Sequence, residues 1–228
     1  MTNRVASRER IVAEALRLGR VQLAEVGAAA LSLRAVAREL GVVSSAVYRY
    51  FPSREALLTA LIIEAYDELG ESAERAERVV PRSDLLRRFR VTAHAVRNWA
   101  LANPNEYALI FGSPVPGYAA PEDTIAHAAR VPLVLLGILR DFPPDHVGFD
   151  LGSPAARAIE PLHSGLAPDV APNLLALGYT AWHLIIGAVS METFGHQRNV
   201  IAPAGRTRAG FFDSQLRLIA ADLGMPRG

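Results

Sequence analysis

An all-α fold is predicted by three features of the 228-residue sequence. Apolar residues recur at steps of three and four in one segment after another, the period of an amphipathic helix. No stretch reads as a strand, and there is no internal repeat. Charge is divided unevenly: residues 1–54 hold nine arginines and four glutamates, while the remainder holds 15 arginines and 19 acids. A basic head on an acidic body is what a nucleic-acid reader, here a three-helix helix-turn-helix unit over 1–53 joined to a larger helical domain over 54–228, would show; a solvated helical surface accounts for the charge equally well.

The elements follow in order. Val12, Leu16, Gly19, Leu23 and Val26 share one face of a helix from about Ser7 to Val26, and Gly27 ends it. Ser32 is placed to cap a short helix in which Leu33, Val36, Ala37 and Leu40 fall at i, i+3, i+4 and i+7. Gly41 breaks that helix. Ser44 is expected to cap the next, with Val43, Val47, Tyr50 and Phe51 inward and Ser45, Ala46, Tyr48 and Arg49 outward. Pro52-Ser53 stops it, and Ser53 caps a helix running to about Arg78. Helices are then predicted over Ser83–Ala102 and Pro104–Phe111, with an irregular run at 112–117. Another spans about Pro121–Phe142, kinked at Pro132. Residues 143–171, with five prolines and three glycines, read as a long connection. Helices over Pro172–Phe194 and Arg208–Leu223 close the chain.

Composition excludes several classes. Half of the residues are hydrophobic, enough for a core and too many for a disordered chain. Without cysteine there is no disulfide, thiolate zinc site or thiol nucleophile, and a reduced cytoplasm is the expected compartment. Every Lys+Arg position is arginine, which excludes Schiff-base lysine chemistry and a P-loop. The N-terminus has no apolar export segment. Val170–Met191 is uncharged and long enough to span a bilayer, but Pro172, Asn173, Thr180 and His183 interrupt it, so a buried helix is expected and no membrane partner. The six histidines show no metal-ligand spacing, and neither a nucleophile elbow nor a dinucleotide loop is present. No cofactor, metal or catalytic site is therefore expected. The competing reading is a small helical enzyme or ligand-binding protein without a DNA role.

Two short helices meeting at a glycine turn have the geometry of a helix-turn-helix. Ala37 is small where the helices approach, Gly41 supplies the turn, and Val36, Leu40, Val42, Val47 and Tyr50 fill the wedge. Ser44, Ser45, Tyr48 and Arg49 are left outward: hydroxyls and a phenol for phosphate, and a guanidinium able to pair with guanine. An ordinary helical hairpin is the plainer alternative.

The run Ser32-Leu-Arg-Ala-Val-Ala-Arg-Glu-Leu-Gly41, followed by Val42-Val-Ser-Ser-Ala-Val-Tyr48-Arg-Tyr-Phe51-Pro-Ser-Arg-Glu-Ala-Leu57, closely resembles the N-terminal domain of tetracycline-repressor-like (TetR/AcrR) regulators. That resemblance, over about residues 7–65, implies a one-component regulator, most often a repressor. It would bind double-stranded operator DNA as a homodimer and be released by a small-molecule effector. It implies phosphate contacts from Ser32, Ser44, Ser45, Tyr48, Tyr50 and Arg54, and base contacts from Arg49 and Ala46; Arg34 is a further DNA-binding candidate. Arg20-Val21-Gln22-Leu23 looks like an insertion lengthening the first helix. In the second half, Trp182-His183 followed by Gly187 resembles a Trp-His-Gly subgroup of the family.

Two further expectations concern the body. His94, Asn98, Trp99, Tyr107, Phe111, His127, His183, Met191 and Phe194 are candidates to line an effector pocket, with plain core packing as the rival. Helix 172–194 is apolar on two sides, so one must meet another subunit. Leu177, Ala181, Leu184, Ala188 and Met191, with Phe212, Leu216 and Ile219 of the last helix, are the candidates for a four-helix dimer interface.

Overall fold

The structure, a computed structural model, describes residues 2–143, 151–201 and 205–225, with side chains from residue 8 onward. Among the described residues there are eleven α-helices and no strand: α1 (Thr2–Val26), α2 (Leu33–Glu39), α3 (Ser44–Tyr48), α4 (Arg54–Arg78), α5 (Leu85–Ala102), α6 (Pro104–Phe111), α7 (Thr124–Ala128), α8 (Arg130–Leu139), α9 (Ser153–Leu166), α10 (Pro172–Thr193) and α11 (Arg206–Asp222). A 3-10 turn at Ala28–Ala30 joins α1 to α2. The chain divides into two units, residues 1–68 with 103–128, and residues 69–102 with 129–228.

The first unit is organised around α1 and α4. Ala15, Val36, Val47, Leu57 and Leu58 are fully buried, with Leu18, Leu31, Leu33, Phe51 and Leu61 beside them. A Cβ at Gly19 would lie 3.0 Å from Leu61 Cδ1, so glycine sets how closely α1 meets α4. Arg20 then bridges to Glu64 and Glu68 of α4, and Leu23 is buried. The 20–23 segment is thus integrated into the packing. Tyr118 exchanges a 2.9 Å hydrogen bond with Thr59, and Tyr66 meets Phe111 edge-on.

The second unit is built on α10, which packs against α5, α8, α9 and α11. Leu174, Ala181, Ile185, Val189 and Glu192 follow helical steps along one buried face, and Leu175 is buried beside them. Among them Glu192 accepts two 2.6 Å hydrogen bonds from Arg97, both side chains being buried. A second network joins Arg88 to Glu77 and Asp141. The α10 helix is long and apolar enough to cross a membrane by length and composition alone.

Two expectations about elements change. Helix 121–142 is two helices interrupted at Ala129; Pro132 sits in the first turn of α8, where its missing N–H leaves no bond unmade. Within the expected connection 143–171, α9 forms over Ser153–Leu166. Pro154 occupies its first turn, the helix packs against α10, and Leu162 and Leu166 face a cavity shared with α8 and α10. Residues 144–150 lie outside the described residues.

Candidate nucleic-acid interface

Why α2 and α3 meet as they do is visible in a few residues. Ser32 caps α2, its hydroxyl accepting from the Ala35 N–H at 3.4 Å. Gln22, buried in α1, holds the main chain of the same serine: its Oε1 accepts from Ser32 N–H at 2.9 Å, and its Nε2 donates to Ser32 O. Gly41 takes φ +67°, the left-handed conformation that lets the chain leave α2 and re-enter α3 within two residues. Val36, Ala37 and Val47 close the joint between the helices.

What remains outside is polar. Ser44, Ser45, Tyr48 and Arg49 are exposed on and just after α3, and Arg34 and Arg38 are exposed on α2. Ala46 and Tyr50 are half-buried, Tyr50 packing on the core of the unit. The start of α3 differs from expectation. Val43, not Ser44, holds the N-cap position and makes no side-chain cap, so Val43 points outward, 72% exposed. The cap hydroxyl of Ser44 is thereby left to the surface.

Arg54 is committed to the fold. Its Nη2 donates to the carbonyls of Ala28 and Ala29 at 2.8 and 3.0 Å, which ties the first turn of α4 to the turn after α1. Sequence reasoning missed both this strap and Gln22. Gln22 did carry a signal, being a polar residue four positions after Leu18 on the buried stripe of α1.

The expected effector residues separate. Tyr107, Phe111 and His127 belong to the first unit. Tyr107 is wholly buried against Phe111, and His127 Nδ1 lies 2.8 Å from Asp67. In the second unit His94 and Asn98 line one cleft, and Trp99 is buried in α5. His183, Met191 and Phe194 are exposed, His183 stacking edge-on with Tyr179. A separate, mostly leucine-lined cavity of about 120 Å³ lies among α8, α9 and α10, with Trp182 in its wall.

The expected dimer face is corrected in the same way. Ala181, Phe212, Leu216 and Ile219 are buried within their own unit and are core residues. Leu177, Leu184 and Ala188 are half-buried. The open side of α10 carries Thr180, His183, Gly187 and Met191, and the open side of α11 carries Phe211, Ser214 and Leu218. No group of three or more His, Asp or Glu side chains able to hold a metal ion forms among the described residues.

Residues 15–61 match the description "Bacterial regulatory proteins, tetR family", and residues 89–218 match "Tetracyclin repressor-like, C-terminal domain". The chain belongs to the TetR family. HTH-type transcriptional regulators of Mycobacterium tuberculosis and Mycobacterium bovis are 36% identical over 229 residues, 95% of this chain and 94% of theirs. Among solved structures, the regulatory protein SCO4313 superposes with a TM-score of 0.77 at 31% identity, covering 95% of this chain and 98% of its own. The TetR family regulator PfmR of Thermus thermophilus shares the fold, with a TM-score of 0.55 at 20% identity over 92% of this chain and 96% of its own. The protein is thus a DNA-binding transcriptional regulator with a helix-turn-helix head. The C-terminal description does not extend to the Trp182-His183-Gly187 subgroup.

Proposed function

We propose that this regulator is a repressor that binds operator DNA in the cytoplasm as a homodimer and leaves it when a small-molecule effector occupies the body. The observation that carries the reading is the uncommitted face of α3: two serines, a tyrosine and an arginine exposed on a segment whose other side is anchored by fully buried Val47. Hydroxyls and the phenol suit phosphates, and Arg49 suits a guanine edge. Arg34 and Arg38 add positive charge beside them.

Dimerisation is supported by the open faces of α10 and α11. Met191 is 47% exposed, Phe211 46% and Leu218 70%, on two helices that pack side by side. Gly187 and half-buried Ala188 are small enough to let a second copy of α10 approach. An isologous contact would bury this patch on both subunits and link two reading heads.

The effector role is supported by α4. Residues 54–68 of this continuous helix belong to the unit that reads DNA, and residues 69–78 belong to the body. A ligand held against the second part therefore acts on the helix that starts immediately after the recognition segment.

The test is nuclease protection of the DNA upstream of the protein's own gene, combined with sedimentation. The wild-type chain should sediment as a dimer and protect a site with two half-sites. Gly187→Arg should sediment as a monomer and bind that site at least about tenfold more weakly, since two linked heads gain affinity from each other. A wild-type monomer, or an unaltered dimer in the variant, would place the interface elsewhere.

A further inference from the structure

The second unit carries an open cleft of about 620 Å³ between the end of α4 and α5. Its wall includes Ser72 and Arg75 from α4 and Arg87, Arg90, His94 and Asn98 from α5. The charge there is unbalanced. Arg75 reaches only Glu71, at 3.8 Å with both side chains well exposed, and Arg87 makes no side-chain hydrogen bond or ion pair among the described residues. Arg90 is turned by Asp213 of α11, which accepts from its Nε at 2.8 Å and lies 2.7 Å from its Nη2. The same carboxylate lies 3.2 Å from His94 Nε2 and accepts from Arg217 at 3.1 Å. Burial alone would raise the Asp213 carboxyl, but hydrogen bonds from Arg90 and His94 outweigh it and hold the group below the usual carboxylate range.

Elsewhere in the unit Arg88, Arg97, Arg130 and Arg140 each answer a carboxylate. In the cleft, Arg90 is held by Asp213, Arg75 has only the distant Glu71, and Arg87 has no carboxylate partner among the described residues. Exposed guanidiniums lining one cleft cost the fold little, and a bound anion would meet them with charge-assisted, bidentate hydrogen bonds.

We propose that this cleft binds a small organic anion bearing a carboxylate or phosphate group. Its charge sits among Arg75, Arg87 and Arg90, Ser72 and Asn98 offer neutral hydrogen bonds, and its body lies on Val91 and Ala95. The proposal rests on the effector reading and names the effector's class. It also gives that effector a route. An anion that takes Arg90 competes with Asp213, and Asp213 holds α11 to α5. The outer face of α11 is the one proposed to meet the second subunit.

The test is isothermal titration calorimetry of the full chain with benzoate and with inorganic pyrophosphate, ionic strength held constant with sodium chloride. At least one probe should bind saturably, one per chain, and the arm that binds tells carboxylate from phosphate. Arg87→Gln and Arg75→Gln should each weaken it by about tenfold or more, the scale of a lost charge-assisted contact. Arg140→Gln, which removes a charge of the same unit outside the cleft, should leave it within about twofold, the scale of screened distant charges. Both cleft arginines are well exposed, so folding is not at issue, and circular dichroism checks it. Absence of saturable binding by both probes overturns the proposal, as does an equal loss in Arg140→Gln. Operator release is read on the same samples. Release that disappears in Arg87→Gln assigns it to the cleft; saturable binding with no release overturns the route through Asp213 and counts against effector control, while the cleft's assignment stands.

Discussion

The arginines of the α2–α3 surface and the buried arginines of the second unit have opposite roles. In the head, Arg34, Arg38 and Arg49 are exposed, and their side chains make no hydrogen bond or ion pair among the described residues. In the body, Arg88 and Arg97 are buried, and each meets carboxylates at hydrogen-bond distance. A guanidinium stays charged at any biological pH, so burying one requires a carboxylate already in place. An exposed, uncommitted guanidinium costs the fold little and is available to a phosphate or a base. Commitment of the side chain therefore separates arginines that hold this protein together from those that face a partner.

The contrast is tested most severely at the buried pair. Arg97→Ala leaves Glu192 charged and buried without the two 2.6 Å hydrogen bonds it accepts from that arginine. The expected loss is about 3–5 kcal/mol of stability, measured by urea denaturation. Replacing both partners by apolar residues, Arg97→Met with Glu192→Leu, should recover most of that loss. A single variant as stable as wild type would show that the pair is solvated and that the distinction between the units fails there.

Arg49→Ala should behave in the opposite sense. Stability should stay within about 0.5 kcal/mol, as for other exposed sites. DNA affinity should fall by about 1–3 kcal/mol, with relaxed preference at one base pair per half-site in a binding-site selection. An unchanged selected sequence would remove Arg49 from base reading.

Arg54 sharpens the comparison because it lies in the head and yet is committed. Arg54→Ala loses the strap to the carbonyls of Ala28 and Ala29 and should cost about 1–2 kcal/mol in denaturation. The slope of DNA affinity against salt should then change little. A slope reduced by about one unit would instead make Arg54 a phosphate contact.

The smallest effect expected is acid sensitivity. Burial would raise the Asp141 carboxyl, but hydrogen bonds from Arg88 and Arg82 outweigh that and hold it below its ordinary range. A carboxyl whose folded pKa is depressed adds stability that is fully present above its unfolded value, about 3.9, and is lost as pH falls through the folded value. Asp141→Asn should therefore be less stable at neutral pH and show a shallower decline below about pH 4. An unchanged acid limb in chemical denaturation would assign the sensitivity to other carboxylates.

Local chemistry made much of the head legible. The Ser32 cap, the break at Gly41 and the Ser53 cap of α4, whose hydroxyl accepts from Ala56 N–H, each depend on residues within four positions. Position along a helix was less legible than the helix itself. Starting α3 at Ser44 rather than just after it turned Val43 outward. Along α11, Phe212 is buried and Phe211 exposed, and neighbouring residues differ by about 100° around the axis. For a helix apolar on two sides, hydrophobic pattern alone leaves that angle open. The prolines of 143–171 hid α9 because Pro154 stands where a helix tolerates it and α10 supplies the packing.

The sequence by itself determined the helical class, the positively charged head, the turn chemistry of the helix-turn-helix and the outward side chains of α3. Those features depend on near neighbours and on period, which a linear chain states directly. Tertiary structure alone decided that Arg97 would meet Glu192 across 95 positions, that Gln22 would hold Ser32, and that Arg90 and His94 would share Asp213. It also decided which sides of α10 and α11 stay open. Each of these depends on the angle and distance between helices far apart in the chain. That geometry is set by the packing of whole faces, and no residue carries it alone.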